Sequence, residues 1–138
     1  MFNRNVLTLF LAVIISAATF CKAEAADYYL GEYANGTVAY LDTTSIRVTN
    51  HYTNGYHDGD TCTCTVKAVN PNSGNFDRIS YEVYCGQNAS IIKEGVRLFR
   101  SLREAASFWK NNPVESNLTH YCYDYIDKKS RKVPERIY

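Results

Sequence analysis

The sequence predicts an α+β domain, a small antiparallel meander β-sheet packed by a C-terminal α-helix and stapled to it by a disulfide. Three observations predict it. Short alternating runs rich in Tyr, Val, Ile and Thr recur between Tyr28 and Lys93, and such residues fit a pleated, half-buried surface. Turn signals separate these runs, among them Asn35-Gly36, Asn54-Gly55 and Asp58-Gly59; Asn-Gly and Asp-Gly between such runs mark hairpins. After Pro113 the apolar spacing changes from two residues to a helical repeat.

Taken in order, Tyr28 to Tyr33 reads as a first strand and Thr37 to Leu41 as a second, with Ala34-Asn35-Gly36 as the turn between them. Asp42-Thr43-Thr44 reads as the next turn and Ser45 to Tyr52 as a third strand. Thr53 to Asp60 reads as a loop, Thr61 to Val69 as a strand, Pro71 through Asn75 as a turn and Ile79 to Cys85 as a further strand. Ser90 to Lys93 and the segment from Val96 to about Ser101 also read as strands, followed by a short helix around Glu104 to Trp109. In the last element Asn112 caps a helix whose first position is Pro113, where a missing N–H costs nothing. Leu118, Tyr121, Cys122, Tyr125 and Ile126 then share one apolar face.

The N-terminus sets the compartment. Arg4 precedes the apolar run from Val6 to Ile15, and small residues follow, ending in Ala23-Glu24-Ala25. This is the pattern of a secretory signal peptide with an A-x-A cleavage site, and the run falls short of the roughly 20 residues that a membrane-spanning helix needs. Lipid attachment at Cys21 is disfavoured by the bulky Phe20 before it. The expected organisation is a signal peptide over 1–25, one domain over 26–127 and a basic tail over 128–138, in a protein exported to the periplasm, cell surface or medium without a transmembrane segment.

Cleavage removes Cys21 and leaves Cys62, Cys64, Cys85 and Cys122. An even number of cysteines in an exported domain of this size argues for a disulfide framework. A strand cysteine and a helix cysteine on apposed apolar faces, Cys85 and Cys122, form the expected pair, and a loop of that length stabilises by about 2–4 kcal/mol. Cys62 and Cys64 either bridge each other near the upper limit of disulfide geometry or compete for Cys85 or Cys122.

The leader takes Arg4, Lys22 and Glu24 with it, so the remaining chain is close to electrically balanced. Its cations are concentrated at the end, where Lys128, Lys129, Arg131, Lys132 and Arg136 face the single acid Glu135. With no basic patch in the body, and with export, a nucleic-acid partner is not expected. Catalysis is not expected either: His51, His57 and His120 are the neutral-pH bases, and no nucleophile elbow, phosphate-binding glycine loop or paired-carboxylate motif accompanies them. No catalytic residue and no cofactor is assigned.

Tyrosine is the residue type that points to function, with twelve in the chain. Tyr offers a large amphipathic contact at little entropic cost and is enriched in binding hot spots. Tyr52, Tyr56, Tyr81 and Tyr84 are the candidate binding residues for a protein or glycan at the cell surface, and an exposed edge strand would allow a homodimer by sheet extension. Two alternatives use the segment from His51 to Cys64. His51, His57, Asp58, Asp60, Cys62 and Cys64 supply imidazole, carboxylate and thiolate donors for a metal or another small ligand. A strained Cys62-Thr63-Cys64 bridge would instead be easily reduced and would suit thiol-redox chemistry.

The order of these signals resembles the bacterial surface-adhesin protein E family. The resemblance is carried by the leader, by Tyr40-Leu41-Asp42-Thr43-Thr44-Ser45-Ile46, by Tyr81-Glu82-Val83-Tyr84-Cys85, and by the closing Trp109, Pro113, Ser116 and Cys122. It implies a small antiparallel sheet with a C-terminal helix, a disulfide between Cys85 and Cys122, and a non-enzymatic adhesive role toward host matrix and serum proteins. The Cys62-Thr63-Cys64 pair and the basic tail depart from that pattern.

Overall fold

Six strands in sequence order form one antiparallel sheet, and two helices follow them. The computed structural model describes residues 27–131; the leader, Cys21 and the end of the basic tail (132–138) lie outside the described residues. The strands are β1 (Asp27–Glu32), β2 (Val38–Thr53), β3 (Tyr56–Val69), β4 (Phe76–Gly86), β5 (Ser90–Lys93) and β6 (Val96–Arg97), and the helices are α1 (Leu102–Asn111) and α2 (Pro113–Arg131). The sheet order β1-β2-β3-β4-β5-β6 is a pure meander, as the turn signals predict.

Alternation fixes the two faces of the sheet. On β3, Asp60, Cys62, Cys64, Val66 and Ala68 point into the core, while Thr61, Thr63, Thr65 and Lys67 take the opposite face and are half-exposed. The β3–β4 register sets Cys62 against Val83 and Cys64 against Tyr81, so this inward row continues across the sheet to Ile91. Helix α2 covers it with Val114, Leu118 and Cys122, all fully buried. Truncating Leu118 to Ala would cost about 2–5 kcal/mol through lost transfer energy and a cavity.

Three boundaries differ from those read in the sequence. Asp42-Thr43-Thr44 does not reverse the chain, because β2 runs unbroken from Val38 to Thr53 and carries a bulge in which residues 43–46 face Cys64 alone. Side chains there replace the ladder bonds that the bulge removes. Asp42 Oδ1 accepts from the Thr44 N–H (3.0 Å) and hydroxyl (2.6 Å), and Ser45 Oγ accepts from the Thr65 N–H (2.8 Å). The extra residues let Ile46 enter the core.

The second difference is the segment from Thr53 to Asp60, which is strand apart from the two-residue turn Asn54-Gly55. Both turn residues have positive φ, 53° and 81°, as the tight turn matched to strand twist requires. The third is the stretch before the helices, where β6 ends at Arg97 and helix α1 starts at Leu102. Ser101 caps α1 by accepting from the Glu104 N–H at 3.2 Å, and Glu104 reaches back to the Arg100 N–H at 2.9 Å. This reciprocal pairing is a variant of the capping box.

Helix α2 begins at Pro113 as predicted, with the Asn112 carbonyl accepting its first backbone bond, from the Ser116 N–H. The Asn112 side chain turns the other way and donates to the Phe108 carbonyl, closing the end of α1.

The predicted disulfide staple from Cys85 to Cys122 is not found. All four described cysteines are buried thiols, and neither Cys85 with Cys122 nor Cys62 with Cys64 is bonded. The thiols of Cys62, Cys64, Cys85 and Cys122 lie in the buried core without reaching disulfide distance, and Cys85 on β4 donates weakly to the Val83 carbonyl at 3.9 Å. Polar contacts hold the helix beside this cluster. Asn117 Nδ2 donates to the Leu30 carbonyl (2.6 Å), Tyr123 donates to the Gly86 carbonyl (2.8 Å), and Tyr81 donates to Glu115 (3.0 Å).

Candidate binding surface

The four candidate tyrosines separate by strand parity. Tyr81 is fully buried and is therefore removed from the binding set. Its inward position follows from the alternation of β4, which sends Tyr81, Val83 and Cys85 to the core and Tyr84 to the open face. Burial pushes the Tyr81 phenol well above the ordinary tyrosine range and raises its partner Tyr33 to about 12. The two hydroxyls lie 2.8 Å apart.

Tyr84 is half-buried on the open face. Its ring lies over the cross-strand pair Gly59 and Gly86, where an added Cβ would come within 2.5 Å and 2.6 Å of the ring atoms or hydroxyl. The hydroxyl donates to the Asp58 carbonyl at 3.0 Å. Tyr84 thus braces the β2–β3 hairpin against β4 and is half-buried there.

Tyr52 and Tyr56 lie at the hairpin tip, flanking Thr53 and the Asn54-Gly55 turn, and they are 64% and 79% exposed. The Tyr52 ring sits 5.4 Å from that of His57. The tip is locked from below, since the Thr53 hydroxyl donates to Asp58 Oδ2. Two large, exposed aromatic side chains are therefore carried on a braced two-stranded arm.

Beneath the tip, between the hairpin and the last turns of α2, is a cavity of about 370 Å³ lined by Val48, Asn50, Tyr52, His57, Asp60, Ile126 and Lys129. His57 Nε2 is 2.7 Å from Asp60 Oδ1, and the bond to this buried carboxylate raises the His57 pKa above its ordinary value. The other face of the sheet carries a second cavity of about 460 Å³, where His51, Thr61, Glu82, Tyr84 and Arg97 meet. His51 Nε2 lies 2.6 Å from Thr61 Oγ1.

These positions divide the six metal-ligand candidates. His51 occupies the open face, bonded to Thr61, while His57 and Asp60 lie on the helix side, Asp58 at the hairpin edge, and Cys62 and Cys64 in the core. Among the described residues no group of three or more His, Cys, Asp or Glu is placed to hold a metal ion. The sequence reading did not single out Asn50, Lys129, Glu82 or Arg97. Lys129 had a signal in the basic tail, while Asn50, Glu82 and Arg97 reach their cavities only through strand pairing that no local motif announces.

No helix among the described residues is long and apolar enough to cross a membrane. Comparison with protein-family models, curated proteins and solved structures finds no match for this chain.

Proposed function

We propose that this chain is an exported, non-enzymatic binding module of the bacterial cell envelope, an adhesin-like domain that holds a surface protein or glycan by non-covalent contact. The observation that carries this reading is the pair Tyr52 and Tyr56, 64% and 79% exposed at the tip of a braced hairpin. Leaving two tyrosines in water forgoes the burial that a core position would supply, and Tyr is a residue type that dominates binding hot spots. The secretory leader and the resemblance to the protein E family support the compartment and the adhesive role. A disulfide through Cys122, holding α2 on the sheet, belongs to the same reading.

The test uses the purified mature protein on an array of matrix proteins, serum proteins and glycans. Saturable binding to at least one component is the expected result, and an inert protein across the array contradicts the proposal.

The cavity beneath the tip favours one second reading, a domain that takes a small polar ligand. His57, Asp60, Asn50 and Lys129 supply its polar groups, and Val48 and Ile126 its apolar ones. Calorimetric titration with small sugars and organic acids checks it, and saturable heat that disappears in Lys129→Ala would support this reading over the first.

A further inference from the structure

The geometry points to a second binding site on the open face of the sheet, the cavity over Tyr84, with a neutral saccharide unit as its ligand. The inference rests on the binding-module reading but not on the hairpin tip.

Strand register builds the site. Directly opposed residues share a face of a sheet, and β4 sets Tyr84 between Thr61 of β3 and Ser90 of β5. Two residues back along β4, Glu82 stands opposite Ile92, which in turn stands opposite Arg97 of β6. These adjacent rows lie on the face that α2 leaves open, and with His51 and Asn88 they line the cavity of about 460 Å³. Small-ligand pockets span about 300–1,000 Å³.

The floor is an aromatic platform. Gly59 and Gly86 oppose each other without side chains, and the Tyr84 ring settles onto the backbone between them. Its two flanks come almost equally close, with Cε2 2.9 Å from the place of a Cβ at Gly59 and Cε1 2.6 Å from that of a Cβ at Gly86. A ring whose flanks are equally low lies flat on the sheet and turns its second face outward. The bond from its hydroxyl to the Asp58 carbonyl holds it there, and the His51 ring stands beside it at 5.9 Å between centres. The negative face of an aromatic ring attracts weakly positive hydrogens, so this platform suits the C–H side of a sugar ring, with Ile92 as its apolar neighbour.

The rim supplies the polar half. Glu82, Asn88 and Arg97 make no ion pair or side-chain hydrogen bond with any described residue, whereas His51 and Thr61 bond each other. A carboxylate accepts from hydroxyls, a guanidinium donates to them and an amide does both, which is the set a polyol needs. The opposite charges of Glu82 and Arg97 cancel, and this favours a neutral sugar over a charged one. The adjoining sheet edge, β6, has only two residues, too short a template for a peptide strand to pair with by its main chain.

The experiment is calorimetric titration of the purified full-length chain with maltose, cellobiose, lactose and chitobiose as neutral probes and sialyllactose as the charged one. Saturable binding of at least one neutral disaccharide is expected, with a dissociation constant raised about tenfold or more in Glu82→Gln and in Arg97→Ala and unchanged in Tyr52→Ala/Tyr56→Ala. Glu82 and Arg97 are exposed, so both single variants should keep the wild-type thermal midpoint. Tighter binding of sialyllactose, or neutral binding that survives both substitutions, overturns the site. No disaccharide bound, beside array binding that is lost in Tyr52→Ala/Tyr56→Ala, overturns this site alone. No disaccharide bound beside an inert array overturns the binding-module reading with it.

Discussion

The Tyr81 hydroxyl donates to Glu115 Oε1 at 3.0 Å, tying the centre of β4 to the first turn of α2 across the buried face of the sheet. Glu115 is buried, and Lys93 Nζ lies 3.7 Å from the same oxygen. Lys93 also sits 4.6 Å from the centre of the Tyr33 ring. A carboxylate removed from water needs such partners, because an unpaired buried charge is costly. Tyr81→Phe keeps the ring and removes the donor, so it should cost about 1–3 kcal/mol. Urea denaturation of the single and double variants with Glu115→Gln checks this, and additive losses would show that the two residues are not coupled.

Alkaline pH should loosen the same network. The folded-state pKa values of Tyr33, about 12, and of Tyr81, higher still, exceed the ordinary value of 10.0. Stability is therefore fully present below pH 10 and falls as pH rises beyond it, because the unfolded chain releases phenolic protons that the folded one retains. Absorbance at the tyrosinate band, followed with circular dichroism, should show two tyrosines ionising only together with unfolding.

His57 has the same sign at lower pH. The Asp60 carboxylate raises its pKa above 6.5, so the contribution of the pair is complete below about 6.5 and is lost as pH rises through the raised value. Titration of the His57 ring by NMR should return to the ordinary range in Asp60→Asn, and an unchanged midpoint would show that the pair does not form.

The β2 bulge predicts a further loss of stability. Ser45→Ala removes the acceptor of the Thr65 N–H, a part-buried backbone donor inside the sheet, and should cost about 1–3 kcal/mol. Thermal unfolding against wild type measures it. A neutral result would mean that water or a shifted register satisfies Thr65.

Much of the architecture is legible in the sequence because period two and period 3.6 are local signals. The meander order, the start of α2 at Pro113 and the buried Leu118 and Cys122 all follow from spacing and from the place of the proline, although the Asn112 side chain closes α1 and does not cap α2. Asp42-Thr43-Thr44 misleads because its side chains bond the backbone as a turn would, while β3 continues to pair on both sides of it. Tyr81 and Tyr84 are three residues apart and so cannot share a face of one strand; applied to β4, parity alone would have separated them. The pairing of Lys93 with Glu115 and the hydrogen bond from Tyr81 to Glu115 depend on how α2 docks, which local spacing does not encode.

The central claim is that the hairpin tip is the contact surface, and the most direct measurement of it compares the affinity of wild type and the double variant Tyr52→Ala/Tyr56→Ala for the array component that wild type binds. Both side chains are exposed, so the thermal midpoint should stay unchanged while the dissociation constant rises by at least about tenfold, the loss expected of a truncated hot-spot residue. Equal affinity in wild type and variant would contradict the account and move the contact surface away from the tip.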